Sequence, residues 1–189
     1  IARAMKYVAL VLAGFVCGIG VSLLFPSLHS SIGKTGSVLQ GTQLKEGVVG
    51  TESPDEVAFT HPKLGFSISY PKELHASEYD EGEGARTILF QKEEEQYGFQ
   101  MFIVPYTEDS ISAERIKKDI PSGVVDEPQE VVIGDGILAT VFWSESSLIG
   151  RTREIWFTHG GYLYEVTGYA SQDALLAQVL GTLTFVNKK

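Results

Sequence analysis

Residues 30–37 read SSIGKTGS and hold three fragments with chemical meaning. Gly33-Lys34-Thr35 is the tail of a phosphate-binding loop, in which backbone N–H groups and a lysine cradle an anion. Ser31-x-x-Lys34 has the spacing of an acyl-serine nucleophile and its lysine, and Lys34-Thr35-Gly36 is a second box of the same chemistry. None fits its surroundings. A phosphate loop needs Gly five residues before Gly33, where this chain has Leu28, and it needs a strand before it and a helix after it. The acyl-serine boxes must stand far apart on different elements, whereas here one lysine would serve both. The stretch reads as linker composition.

The other reactive residue types are scattered. His29, His61, His75 and His159 have no second histidine or cysteine at ligand spacing, and they read as surface or hairpin side chains. No serine lies in a G-x-S-x-G turn. GTLTF at 181–185 has the look of a sortase box, but the cysteine it needs is missing, because the single cysteine is Cys17 in the N-terminal apolar run. Two acidic groups, Asp80, Glu81 and Glu83 and then Glu93, Glu94 and Glu95, bracket residues 86–91. They lack the residue order of a calcium loop, and a charged hairpin tip explains them; weak calcium binding is the alternative. A hydrolase would have to assemble His75, Glu78 and His159 in one pocket. No catalytic, metal or cofactor residues are assigned.

Charge and hydropathy divide the chain in three. Of its 189 residues, Tyr7–Phe25 form an uncharged run preceded by Arg3 and Lys6. At 1.5 Å per residue this run is matched to a ~30 Å hydrocarbon core, with the basic end cytoplasmic. Residues 1–25 are therefore expected to be a single-pass transmembrane anchor, with a cleaved signal segment as the alternative. Val16 and Gly14 before Cys17 are wrong for lipid attachment at that cysteine. Residues 26–55, rich in Ser, Gly and Thr, read as a flexible linker. The domain at 56–189 then lies outside the cytoplasm. It carries nearly all of the acidic excess behind the net charge of −9, which argues against nucleic acid as a partner.

Within 56–189 the patterns specify strands and two helices. GFSISY at 65–70 alternates, with Phe66, Ile68 and Tyr70 on one face. RTILFQ at 86–91 is a second strand, and YGFQMFIVPY at 97–106 is apolar on both faces, as in a central strand. SAERIKKDI at 112–120 sets Ala113, Ile116 and Ile120 along one stripe of a helix capped by Ser110 or Ser112. Two hairpins follow, turning at Asp135-Gly136 and at Gly160-Gly161. A two-residue turn at the second pairs Ile155 with Val166, Phe157 with Tyr164, Trp156 with Glu165 and Glu154 with Thr167. SQDALLAQVL at 171–180 is a helix with Ser171 as its cap, and LTFV at 183–186 is a short closing strand. The order predicts an α+β fold in which an antiparallel sheet is sandwiched by helices.

Trp156, Glu165 and Tyr169 share one face of the second hairpin. An aromatic group on a polar-rimmed face suits a partner surface. Burial beneath the terminal helix is the plainer reading, because helices must cover that sheet somewhere. KLGFSISYPKEL at 63–74, the hairpin-rich middle and ALLAQVLGTLTF at 174–185 resemble the PsbP-like superfamily, the extrinsic photosystem II subunits and their bacterial relatives. The resemblance covers about 57–187. It implies an antiparallel sheet between helices and a non-catalytic binding or assembly role outside the cytoplasm, at an envelope protein or component. No site residues carry over from it.

Overall fold

Alternation in the chain is realised as alternation in burial. In the computed structural model, which describes residues 55–92, 95–120 and 122–186, strand β2 (Phe66–Pro71) buries Phe66, Ile68 and Tyr70 and leaves the residues between them partly exposed. It is flanked by β1 (Glu56–Thr60) and β10 (Thr184–Phe185) in a three-stranded antiparallel sheet. The remaining strands are β3 (His75–Gly82), β4 (Ala85–Gln91), β5 (Gly98–Pro105), β6 (Asp126–Ile133), β7 (Ile137–Ser146), β8 (Gly150–His159) and β9 (Tyr162–Tyr169). They form a seven-stranded antiparallel sheet in the order β3-β4-β5-β9-β8-β7-β6. β5 lies inside it and is buried on both faces, as its unbroken apolar run predicts.

Each face of the large sheet has its own cover. Phe66 and Ile68 from the small sheet, with Leu176, Val179 and Leu180 from helix α2 (Asp173–Gly181), pack on Phe90, Phe99, Met101, Ile155 and Val166. The opposite face carries a smaller cluster. There Ile116, midway along helix α1 (Ala113–Asp119), and Ile120, just past its end, meet Tyr106, Phe142, Trp156 and Leu163. The sheet between helices is thus present, but one of its covers is half sheet. β1 and β3 escaped the sequence reading because EVAFT is only five residues long, with Val57 and Phe59 as its whole apolar face, and HASEYDEG lacks an alternating apolar face. Both lie at sheet edges, and the charged side chains of β3 there discourage pairing with another chain.

The turns and caps follow local chemistry. Ser112 caps α1, its hydroxyl accepting from the Arg115 N–H at 3.1 Å. The Gly160-Gly161 hairpin has the predicted register, Trp156 opposite Glu165 and Glu154 opposite Thr167. A third turn, between β7 and β8, joins the two predicted hairpins into one four-strand meander. Ser171 does not cap α2. A 3-10 turn at Ala170–Gln172 precedes that helix, and Gln172 serves the backbone instead, accepting from Gly98 N at 2.9 Å and donating to Gln96 O at 2.8 Å. Gly98 has φ +140°, and a Cβ there would stand 2.0 Å from the Phe90 carbonyl oxygen. Gly98→Ala is therefore expected to destabilise the domain by more than about 3 kcal/mol, read as a lowered midpoint in thermal or denaturant unfolding; a shift under 1 kcal/mol would contradict this close approach.

The anchor predicted at residues 1–25 and nearly all of the linker lie outside the described residues. Among the described residues no helix is long and apolar enough to cross a membrane.

Candidate functional site

Two rows of side chains cross the face of the large sheet that α1 covers. One row is Phe102, Glu165 and Trp156, on β5, β9 and β8; the other is Gln100, Thr167 and Glu154 on the same strands. Beyond the end of α1 these rows line a cavity of about 250 Å³, closed on other sides by Asp119 and Ile120 and by the β7–β8 turn around Leu148. Ser146 holds that turn by accepting from the N–H groups of Leu148 and Ile149 at 3.2 and 3.4 Å.

The two buried carboxyl groups in the cavity differ in how they are held. Glu154 is 3% exposed and accepts three hydrogen bonds: from Thr152 Oγ1 at 2.8 Å, Trp156 Nε1 at 3.2 Å and Thr167 Oγ1 at 2.7 Å. All three donors are neutral. Burial therefore wins, and it pushes the Glu154 carboxyl up to about 7 despite the hydrogen bonds that favour its anion. Glu165 is 6% exposed, and its Oε1 has no hydrogen-bond partner. Burial, with Asp119 nearby, raises its carboxyl well above the usual range against the opposing pull of Arg115. The nearest cation, Arg115 Nη2, stands 3.9 Å from Oε1, beyond hydrogen-bonding distance, while Arg115 Nε is paired with Asp119.

The sequence-predicted face is thus assembled, but not as an exposed surface. Trp156 is 1% exposed and Glu165 is enclosed, beneath the α1 cluster rather than beneath the terminal helix. Tyr169 is half-buried on the same face, outside the cavity, and burial raises its hydroxyl to about 12. Gln100, Thr152 and Arg115 complete the site and were not singled out in the sequence. Glu154, Glu165 and Thr167 carried a signal, as polar residues at alternate positions of their strands.

The scattered hydrolase trio does not converge. His75 opens β3 opposite Gln91, and Gln91 faces Gly98, whereas His159 faces Tyr162, which faces Pro105 at the far end of β5. His75 and His159 lie at opposite ends of the sheet and four strands apart, roughly 19 Å at the usual strand spacing before the end-to-end offset is added. His159 stacks on Phe185 at 3.6 Å. Glu78 meets other partners: His61 Nε2 at 3.3 Å and Arg86 Nη1 at 2.8 Å. His61 Nδ1 accepts from the N–H groups of Lys63 and Leu64, so its proton sits on Nε2, facing Glu78. Burial acts to raise the Glu78 carboxyl, but the hydrogen bonds from His61 and Arg86 outweigh it and hold it below its usual value. This buried His61 secures the β1–β2 turn against β3. The acidic tip is also engaged: Asp80 accepts from Gly82 N, and Glu81 from Thr87 Oγ1, each at 2.8 Å.

Chemically, the cavity holds one open and one occupied buried acid. Glu154 has three of its roughly four acceptor sites filled by the protein, and Glu165 Oε1 has none.

No protein-family model matches the sequence, and no curated protein matches it. Among solved structures the chain is similar to cyanobacterial PsbP (CyanoP) from Synechocystis sp. PCC 6803, determined in solution. The likeness covers 75% of this chain and 98% of that one, at 11% sequence identity and a TM-score of 0.52. At that identity the likeness is one of fold, and it agrees with the resemblance carried by residues 63–74 and 174–185: the described domain has a PsbP-like fold.

Proposed function

We propose that this chain is a membrane-tethered, extracytoplasmic, non-catalytic binding domain, with residues 1–25 as the anchor, 26–55 as the tether and the cavity beside α1 as the place where it binds. The observation that carries this reading is the contrast between the two buried cavity acids. Glu165 presents a buried oxygen to which nothing in the protein donates a hydrogen bond, whereas Glu154 accepts three, from Thr152 and Trp156 on β8 and Thr167 on β9. That arrangement offers a place for a bound group rather than an acid and base working in turn. The PsbP-like fold and the uncharged run at 7–25 support an accessory role at a membrane. Trp156 then acts from inside, as a wall of the site, and an envelope protein or component would approach over the exposed β7–β8 turn.

Leu148, 49% exposed on that turn, is the position from which to test it. The full chain carrying a photo-crosslinking residue at 148 should sediment with membranes, resist extraction by alkaline carbonate and give a discrete crosslinked band. A chain that stays in the soluble fraction removes the tether, and a membrane-bound chain that gives no crosslinked band removes the binding surface.

A further inference from the structure

We propose that the cavity beside α1 binds a small organic cation, an ammonium or amidinium group on a compact apolar body, with Glu165 Oε1 taking the charged N–H and Trp156 and Phe102 enclosing the body. This rests on the binding reading above and names its ligand class.

Unpaired buried oxygen is costly, and a carboxylate oxygen most of all, unless something donates to it. Glu165 Oε1 is such an atom, on a residue 6% exposed that lines the cavity. Four carboxyl groups line it, Asp119, Glu145, Glu154 and Glu165, against one guanidinium, Arg115, which is paired with Asp119 and reaches Glu165 Oε1 only at 3.9 Å. Once ionised, the site carries more negative charge than Arg115 alone offsets. A cation with N–H donors satisfies both the charge and the open lone pairs, and the hydrogen bond it forms is of the strong, charge-assisted kind.

A metal ion fits the site less well than an organic cation. Among the described residues no group of three or more His, Cys, Asp or Glu side chains is placed to hold one, and calcium alone takes six to eight oxygen ligands. The walls instead supply aromatic area: Phe102 and Trp156 flank Glu165 in one cross-strand row. An aromatic wall favours a cation's organic part and, in face-on geometry, its charge. A cavity of about 250 Å³ has room for a compact amine.

The test uses the full chain in detergent. Its two tryptophans are Trp143, which lies between Arg151 and Arg153, and Trp156, so a W143F chain reports from the cavity alone. Benzylamine and benzamidine are titrated against benzyl alcohol and benzoate, following Trp156 fluorescence and the unfolding temperature. The expected result is saturable quenching and a raised unfolding temperature with the two cations only. Glu165→Gln, of the same shape, should weaken benzylamine binding at least about tenfold, the worth of one hydrogen bond to a charged group. Binding should also tighten as the pH rises, because Glu165, whose carboxyl burial raises well above the usual range, must release its proton to pair. The groups facing it are Arg115 and Asp119 at α1, Glu154 on β8 and Glu145 on β7. Equal binding of benzyl alcohol, unchanged affinity in Glu165→Gln, or no response to either cation would each overturn the proposal. The comparison of ligands on the unsubstituted Glu165 chain stands even where Glu165→Gln folds poorly. A discrete crosslink from position 148 without any amine response would leave the binding reading standing and remove only this ligand class.

Discussion

The domain is expected to lose stability as the pH rises from about 5 to 8, by roughly 3 kcal/mol from Glu154 alone. In the folded state burial raises this carboxyl from 4.5 to about 7, and one pKa unit corresponds to about 1.4 kcal/mol. Between those two values the native state keeps a proton that the unfolded chain has released. Native proton binding exceeds unfolded proton binding, so the stability is fully present below about 4.5 and is lost as the pH climbs through about 7. Glu165, raised by the same burial, adds to the loss. His159 acts in the opposite sense. Burial lowers its pKa, so its contribution is lost as the pH falls below its usual 6.5. Glu78, held low, matters only below about 4.5. The net fall corresponds to a drop in unfolding temperature on the order of 10 °C for a domain of this size. Glu154→Gln keeps the shape and lets the Thr152 and Thr167 hydroxyls turn to suit an amide; it should flatten the slope and raise stability at pH 8. An unfolding temperature that stays level or increases from pH 5 to pH 8 would show that these carboxyls are solvated in the folded protein.

Removing Trp156 should cost about 3–5 kcal/mol, the range for truncating a large buried aromatic to alanine. Trp156 is 1% exposed and contacts Phe142 edge-on, at 5.6 Å between ring centroids. Trp156→Ala opens a hole beneath Ile116 and Ile120 and also takes away one of the three donors on Glu154. Trp156→Phe refills most of the space but not the N–H. It should be the milder change, with the apparent pKa of Glu154 moved further upward because one hydrogen bond to the anion is gone. Chemical denaturation of the two variants separates these parts. A loss within about 0.5 kcal/mol for Trp156→Ala is the behaviour of a surface residue, and it would return Trp156 to the role of an exposed partner anchor.

Both expectations turn on residues that the sequence brought to one face without revealing what covers that face. Period-two alternation put Trp156, Glu165, Glu154 and Thr167 together, and the glycine pair at 160–161 set their register. Strand alternation separates two faces of a sheet, but it does not say which layer packs on each. The apolar stripe of α1 had to find an apolar patch, and Phe142, Trp156 and Leu163 supply it on this face, while the broader apolar side of α2 takes the larger cluster on the other. Distance along the chain concealed the remaining pairings. Glu78 finds His61 at 17 residues and Arg86 at eight because β3 lies beside β4 and against the β1–β2 turn. Gln172 reaches back to Gly98, so Ser171 is left without the capping role its type suggests.

What the sequence determined by itself was what local physics can specify. Alternation and turn glycines specified the central strands and the hairpin register, and the apolar stripes specified both helices. The uncharged run at 7–25 set the expectation of an anchor, and the residues at 63–74 and 174–185 pointed to the fold. Tertiary structure alone decided the second, three-stranded sheet, which helix buries Trp156, and the cavity itself. A void arises where covering layers end: α1 stops at Asp119, the β7–β8 turn closes the other side, and the sheet between them carries two glutamates that meet no counter-ion at hydrogen-bonding distance. No window of the sequence contains both walls of that space, so no local pattern could have announced it.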